Sequence, residues 1–219
     1  MLLAIEQVLT KAEAAAVKAA AQGLEFGDGK ATAGRFVREI KANDQALASP
    51  GLEALQAKVT AALAAHPVFQ AAARPRTMTR LILSRYREGQ TYGLHVDDAL
   101  MGGLRTDLSF TLFLEEPEAY EGGALIIEDK METRAIKLPS GDLILYPSTT
   151  LHQVEPVTRG TRLAMVGWVQ SWIRSAEQRE ILFDLDRSVE EVFAREGKSP
   201  LFDQLAKSRS NLIRMWAGD

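Results

Sequence analysis

The period of the apolar residues changes twice along this chain, and each change marks a different kind of structure. Up to about residue 75 the text is alanine-rich and helical in spacing. Residues 2–9 are apolar enough for a short strand. Thr10-Lys11-Ala12-Glu13 then reads as a capping box, the Thr10 hydroxyl and Glu13 carboxylate each satisfying an exposed amide at a helix start. That helix runs through KAEAAAVKAAAQ to Gly23, and a glycine-broken loop, FGDGKATAG, follows. A second helix opens at Ser49-Pro50 and ends near His66-Pro67. From residue 77 to about 173 the period shortens. The runs LILSRY, LSFTLFL, GALIIED, AIKLP, DLILYP and RLAMVGWV are separated by glycine, proline and acidic turns, as in an all-β sandwich or barrel. After Ser175 helical spacing returns. Ile181, Leu182, Leu185, Val189, Val192 and Phe193 fall on one predicted face; Gly197-Lys198-Ser199-Pro200 breaks it, and Leu205, Leu212, Ile213 and Trp216 mark a last helix. The prediction is an α+β chain: an N-terminal flank (1–76), a β core (77–174) and a C-terminal helical extension (175–219).

Composition narrows the chemistry more than the fold. The 219 residues suit one domain able to bury a core without staples. With no Cys there is no disulfide, thiol nucleophile, iron–sulfur cluster or cysteine zinc site. A net charge of −3 gives no general attraction to nucleic acid or to an anionic membrane. Glu6 interrupts the opening apolar stretch, which lacks a basic leader, and no run nears the ~18 apolar residues of a membrane span. A soluble, cytoplasmic protein is expected.

Two of the three histidines lie in the β region. In His95-Val96-Asp97 an extended backbone puts imidazole and carboxylate on one face and turns Asp98 away. His152 follows the run DLILYP. Two imidazoles and a carboxylate are the ligand set that holds one face of a ferrous ion and leaves three positions open. Taken alone, His95 and Asp97 could equally be a hydrogen-bonded pair and His152 an unrelated loop residue. The deciding neighbour is Arg162. Alternation groups it with Ala164, Val166 and Trp168, opposite Leu163, Met165 and Val169. If the first face lines a barrel, a guanidinium stands in an apolar pocket and needs an anion; its planar fork suits a carboxylate. A metal with open positions beside an anchored carboxylate describes a site for a chelating 2-oxo acid.

Residues 81–172 resemble the core of the Fe(II)/2-oxoglutarate-dependent dioxygenases, in the prolyl 4-hydroxylase branch. Tyr86-Arg87-Glu88-Gly89-Gln90-Thr91-Tyr92-Gly93-Leu94-His95-Val96-Asp97 is similar to its Y-x-x-G-x-x-Y-x-x-H-x-D pattern. Glu121-Gly122-Gly123-Ala124-Leu125 resembles its E-G-G-x-L turn, and Gly141-Asp142-Leu143-Ile144-Leu145-Tyr146-Pro147 with Leu151-His152-Gln153-Val154 its closing segment. DGKATAG near the start and ILFDLD near the end resemble bacterial PKHD-type hydroxylases, in which a helical extension follows the barrel. The resemblance implies a double-stranded β-helix (jelly-roll, cupin-like) core. It implies one Fe(II) per subunit on His95, Asp97 and His152, and 2-oxoglutarate and O2 as co-substrates with Arg162 on the distal carboxylate. Tyr86 and Tyr92 would stand near the co-substrate, and Ser109 where a small hydroxyl can approach it. Keeping Asp97, which halogenating relatives replace, favours hydroxylation of an unactivated C–H bond with release of succinate and CO2. L-ascorbate would serve as auxiliary reductant. The expected partner is a small-molecule or peptidyl substrate, with no nucleic acid and no membrane, and the apolar C-terminal helix faces suit a homodimer as well as a cap on the barrel.

Other conspicuous residues have blander readings. His66 is a surface or cap residue, and Trp172 and Trp216 are packing residues. Trp168 could border the substrate or pack in the core. Ser148-Thr149-Thr150 lacks a nucleophile elbow, Asp28-Gly29-Lys30 and Gly102-Gly103 are ordinary turns, and Arg80, Arg85 and Arg87 are too few for a nucleic-acid site. Two rivals to the dioxygenase remain at this point: a noncatalytic metal- or ligand-binding jelly-roll sensor, and a zinc hydrolase on a cupin-like barrel, which would lack a general base beyond the ligands.

Overall fold

Strand 108–113 is buried along its whole length, which requires a cover on both faces of the sheet that contains it. A computed structural model, describing residues 1–32, 34, 36–128 and 132–218, supplies both covers. Ala33 and Asp129, within the runs FGDGKATAG and GALIIED, lie outside the described residues. Among the described residues the large antiparallel sheet runs in the order Leu3–Ile5, Leu143–Pro147, Leu108–Phe113, Thr161–Ser171, Ile82–Arg87, Asp44–Ala46, Phe26–Asp28, with Pro75–Met78 paired to the long central strand. A smaller sheet runs Thr133–Ile136, Leu125–Glu128, Leu151–Val154, Thr91–His95, Lys41–Ala42. This is a double-stranded β-helix of α+β class.

Strict alternation sorts the side chains of the large sheet. Leu108, Phe110, Leu112, Leu143, Leu145, Leu163, Met165 and Val169 point outward and pack with helices α1 (Lys11–Ala21), α2 (Pro50–Ala65) and α3 (Pro67–Ala73). Phe113, Ile144, Tyr146 and Tyr86 point inward and pack against Leu125, Ile127 and Val154 of the smaller sheet. The inner layer is where the polar positions accumulate, so the site lies between the sheets and the helices serve as its outer buttress.

Local signals decide most helix ends. The Thr10–Glu13 capping box forms reciprocally, and Ser49 caps α2 through the Leu52 amide at 3.2 Å. Three features depart from the sequence reading. The first strand covers only Leu3–Ile5, because residues 6–9 turn, with Gln7 at φ 54°. A third helix follows His66-Pro67 at once: His66 caps it, its Nδ1 accepting from Phe69 N at 3.4 Å, and Pro67 stands in the first turn. The flank also contributes strands to both sheets.

The C-terminal α4 (Ala176–Glu196) and α5 (Pro200–Trp216) form as expected, with a shifted buried face. Arg179, Leu182, Phe183 and Asp186 are buried, whereas Ile181 and Phe193 are about half exposed. The reason is polar: Arg179 donates to the Ile173 and Arg174 carbonyls, and Asp186 pairs with Arg74 and Arg209. Those contacts dock the helix, and an apolar-period count does not see them. Trp172, expected to pack, is 45% exposed with the Arg76 guanidinium 5.0 Å from its ring centre.

Gly141 ties the N-terminus to the sheet. Its carbonyl accepts from Leu9 N at 3.1 Å and its φ is +96°, so an added Cβ would lie 2.3 Å from Leu9 O. Gly141→Ala is expected to lower unfolding stability by about 1–3 kcal/mol. Gly103→Ala, also at positive φ but with nothing within 4 Å of the added Cβ, is expected to lose less. Urea denaturation of both variants checks the order; equal losses would show that the Leu9 contact is slack.

Candidate metal centre and its cavity

The two histidines that stand 57 positions apart in sequence are direct cross-strand neighbours: His152 and His95 pair across strands Leu151–Val154 and Thr91–His95. Their ring centres are 4.2 Å apart. Each Nδ1 faces a carbonyl two residues back, Gly93 O at 2.8 Å for His95 and Thr150 O at 2.9 Å for His152. A neutral imidazole so placed donates through Nδ1 and leaves the Nε2 lone pair free on the cavity side. Tyr92 stacks on the His95 ring at 3.7 Å and Tyr146 meets His152 edge-on at 5.1 Å, which fixes both ring planes.

Asp97 lies past the end of its strand, yet its carboxylate closes the triangle. Oδ1 is 3.9 Å from His95 Nε2 and Oδ2 3.7 Å from His152 Nε2. These separations are too long for hydrogen bonds, and short enough for both atoms to reach one shared ion at roughly 2 Å. The ligand atoms of His95, Asp97 and His152 all lie within 4.8 Å of one another. The donor set, the free Nε2 lone pairs and the unbonded spacing fit a ferrous ion. Ser109 lines the same cavity, its hydroxyl donating to Asp97 Oδ2 at 2.6 Å and lying 2.8 Å from the buried Ser148 hydroxyl. Asp98, expected to turn away, also borders the cavity.

The triad opens into a cavity of ≈ 280 Å³ between the sheets. Arg162, Val166 and Trp168 line it while Leu163, Met165 and Val169 belong to the outer core, as alternation predicts; Ala164, predicted on the inward face, is buried but does not line the cavity, and Gly167 does. Arg162 is 1% exposed, with its guanidinium carbon 5.2 Å from the Tyr86 ring centre and 5.5 Å from that of Phe113. Its Nε has no hydrogen-bond partner, and among the described residues no carboxylate forms an ion pair with it. A buried charge left in that state is expensive, by several kcal/mol, unless an anion completes it. Burial raises the Tyr86, Tyr92 and Tyr146 phenols, so they stay neutral.

Lys41, Asn43 and Gln45, spaced two apart, also line the cavity, and no apolar pattern announces them. The available signal was their period, with the polar residues at alternate positions facing inward. The intervening Asp44 points away and pairs with Arg85 and Arg87, which accounts for two of the three clustered arginines. Burial pushes the Lys41 ammonium down to about 8, with Asp97 and Asp28 pulling it back up.

Known proteins resemble this chain over nearly its whole length. A family profile described as the 2OG-Fe(II) oxygenase superfamily matches residues 81–170, and one described as the PKHD-type hydroxylase C-terminal domain matches residues 177–218. A PKHD-type hydroxylase of Picosynechococcus sp. is 50% identical, over 99% of this chain and 100% of its own. One from Maricaulis maris is 50% identical over 89% of each chain. Among solved structures, a Pseudomonas putida prolyl-4-hydroxylase shares the fold with a TM-score of 0.56 at 18% identity, covering 78% of this chain and 92% of that one. HygX from Streptomyces hygroscopicus, crystallised with nickel and 2-oxoglutarate bound, does so with a TM-score of 0.58 at 14% identity, over 78% of this chain and 84% of that one.

His95 gives a testable pH dependence. Burial first, then the neighbouring His152, push its pKa down to about 4. The unfolded chain protonates His95 near pH 6.5 and the folded chain only near 4, so in that window the unfolded state binds more protons and stability falls as pH falls. In metal-free protein the unfolding midpoint is expected to drop from pH 6.5 to pH 4, less steeply in His95→Gln. An identical slope in the variant would contradict the assignment.

Proposed function

This chain belongs to the PKHD-type hydroxylases of the 2OG-Fe(II) oxygenase superfamily, and from that premise we propose that His95, Asp97 and His152 hold one ferrous ion and that Arg162 binds the distal carboxylate of 2-oxoglutarate. The chain is an Fe(II)- and 2-oxoglutarate-dependent dioxygenase of hydroxylase type. The noncatalytic sensor and the zinc hydrolase fall away with that membership. Bound iron supplies activation of O2 for hydroxylation of an unactivated C–H bond as 2-oxoglutarate goes to succinate and CO2.

The observation that carries the residue assignment is the buried Arg162 guanidinium, its Nε unpartnered and no carboxylate paired with it among the described residues, in the same cavity as the triad. The side chains have distinct tasks. The carbonyl-held Nδ1 atoms present Nε2 without any rotation of the rings. Ser109, supported by Ser148, orients the Asp97 carboxylate by donating to it, from a position on the cavity where the co-substrate also comes within reach. Tyr86 floors the Arg162 guanidinium, and Tyr92 holds the His95 ring plane beside the co-substrate. Val166, Ile82 and Leu125 keep the slot apolar and limit water at the reacting centre. On this reading residues 77–174 form the catalytic core, with residues 1–76 and 175–219 as flank and extension. The substrate is a small molecule or a peptide. L-ascorbate keeps the iron ferrous, and the cytoplasm, as a reducing compartment, suits that chemistry. No helix among the described residues is long and apolar enough to cross a membrane.

Anaerobic addition of Fe(II) and 2-oxoglutarate is expected to give a weak visible charge-transfer band. Asp97→Ala should abolish it. Arg162→Ala should raise the 2-oxoglutarate requirement by two orders of magnitude or so, given the ~2–5 kcal/mol lost on truncating one partner of a buried charge pair, while iron binding survives. Equal loss of iron and 2-oxoglutarate binding in Arg162→Ala would make the arginine merely structural. Chelation should stop succinate formation and Fe(II) restore it.

A further inference from the structure

The cavity holds a second buried cation. Lys41 is 6% exposed, lies on the smaller sheet in register with Tyr92, and faces the same space as Arg162 of the large sheet. Its Nζ donates to Thr32 Oγ1 at 3.0 Å and sits 4.9 Å from the Tyr92 ring centre, on the ring that stacks against His95. An ammonium has three donors, and that hydrogen bond uses one. Among the described residues no carboxylate forms an ion pair with it. The charges of the loaded site already balance without it: the two carboxylates of 2-oxoglutarate and that of Asp97 offset the ferrous ion and Arg162. Lys41 is left over, buried beside the reacting centre.

The surroundings are built to receive something polar. Thr32 Oγ1, which accepts from Lys41, lies 2.9 Å from Gln45 Oε1. Asn43 donates to Ser84 Oγ at 2.6 Å while its Oδ1 is buried without a partner. The Trp168 indole N–H, on the same cavity, is likewise buried and unpartnered. Dry polar groups of this kind, one acceptor and one donor, discriminate strongly, because a ligand lacking the matching partner leaves them unpaired.

We propose that Lys41 anchors a carboxylate carried by the substrate, so that the molecule hydroxylated here is an organic acid, a free amino acid included, or a residue whose carboxylate is free. This deepens the dioxygenase reading and rests on it: Arg162 and the metal take the co-substrate, and Lys41 takes the molecule to be oxidised. Lys41→Met removes the charge and keeps the stem; Lys41→Arg keeps a cation.

The test uses the full chain with Fe(II), 2-oxoglutarate and O2. Products 16 Da heavier are sought by mass spectrometry in cell extract, either untreated or with its carboxylates converted to methylamides by carbodiimide and methylamine. Separating the extract by ultrafiltration before reaction distinguishes a free acid from a carboxylate on a larger chain. The expected result is a product from untreated extract that disappears on amidation and falls at least tenfold with Lys41→Met. Lys41→Arg should recover part of it, and the anaerobic Fe(II)–2-oxoglutarate band should be unchanged in both variants. A product that survives amidation, or one that Lys41→Met forms as fast as the natural chain, overturns the proposal. Loss of the band in Lys41→Met also overturns it, by placing Lys41 in the co-substrate site. Absence of the band in the natural chain would instead sink the dioxygenase reading, so the two failures are separable.

Discussion

A guanidinium sealed between two sheets with no anion of its own is the constraint on which this structure turns. Arg162 is among the most deeply buried side chains in the chain, and its Nε is unpartnered. At 1% exposure it has almost no contact with bulk solvent, and the strand that carries it is fixed from every side. Leu163 and Met165 alternate into the helix-covered core, the strand pairs on both edges, and the Tyr86 and Phe113 rings flank the charged group. The helices that look peripheral to the chemistry are thus part of its support. Removing them would expose the outer face of the sheet whose inner face holds Arg162, Tyr86 and Ser109.

The same logic holds across the cavity. Cross-strand pairing of His95 with His152 brings two nitrogen ligands together with no contribution from sequence proximity. Backbone carbonyls set the tautomers, aromatic rings set the planes, and the Ser109 hydroxyl sets the carboxylate. Each of these restraints lies in a strand or at a strand end, so the triad inherits the rigidity of the sheets. A cavity with Arg162 on one wall and Lys41 on the other sets two buried cations around the triad. That arrangement suits an enzyme that must hold an acidic co-substrate and a second molecule at once.

How much of this could be read from the chain depends on whether a residue announces itself through period or through pairing. The inward set Arg162, Val166 and Trp168 followed from alternation alone, because a strand covered on both faces divides its side chains strictly. His95, Asp97 and His152 were legible as residue types in ordered motifs. Helix α3 was not, since a proline after His66 reads as a stop when it is the first turn of the next helix. The buried face of α4 is not legible for a different reason. Arg179 and Asp186 are held inside by backbone carbonyls and by Arg74 and Arg209, partners from distant segments that no local count includes. Lys41 is not legible in the sequence because apolar alternation carries no signal for a strand whose inward face is polar.

The role given to each cation can be tested in a single experiment: the anomalous-difference and electron-density maps of a crystal grown without oxygen in the presence of manganous ion and 2-oxoglutarate. The account expects one strong anomalous peak bounded by His95 Nε2, an Asp97 oxygen and His152 Nε2. It also expects the distal carboxylate of 2-oxoglutarate on the Arg162 fork, with Lys41 free of it. A metal peak elsewhere, or a co-substrate carboxylate seated on Lys41 with Arg162 still unpaired, would contradict it.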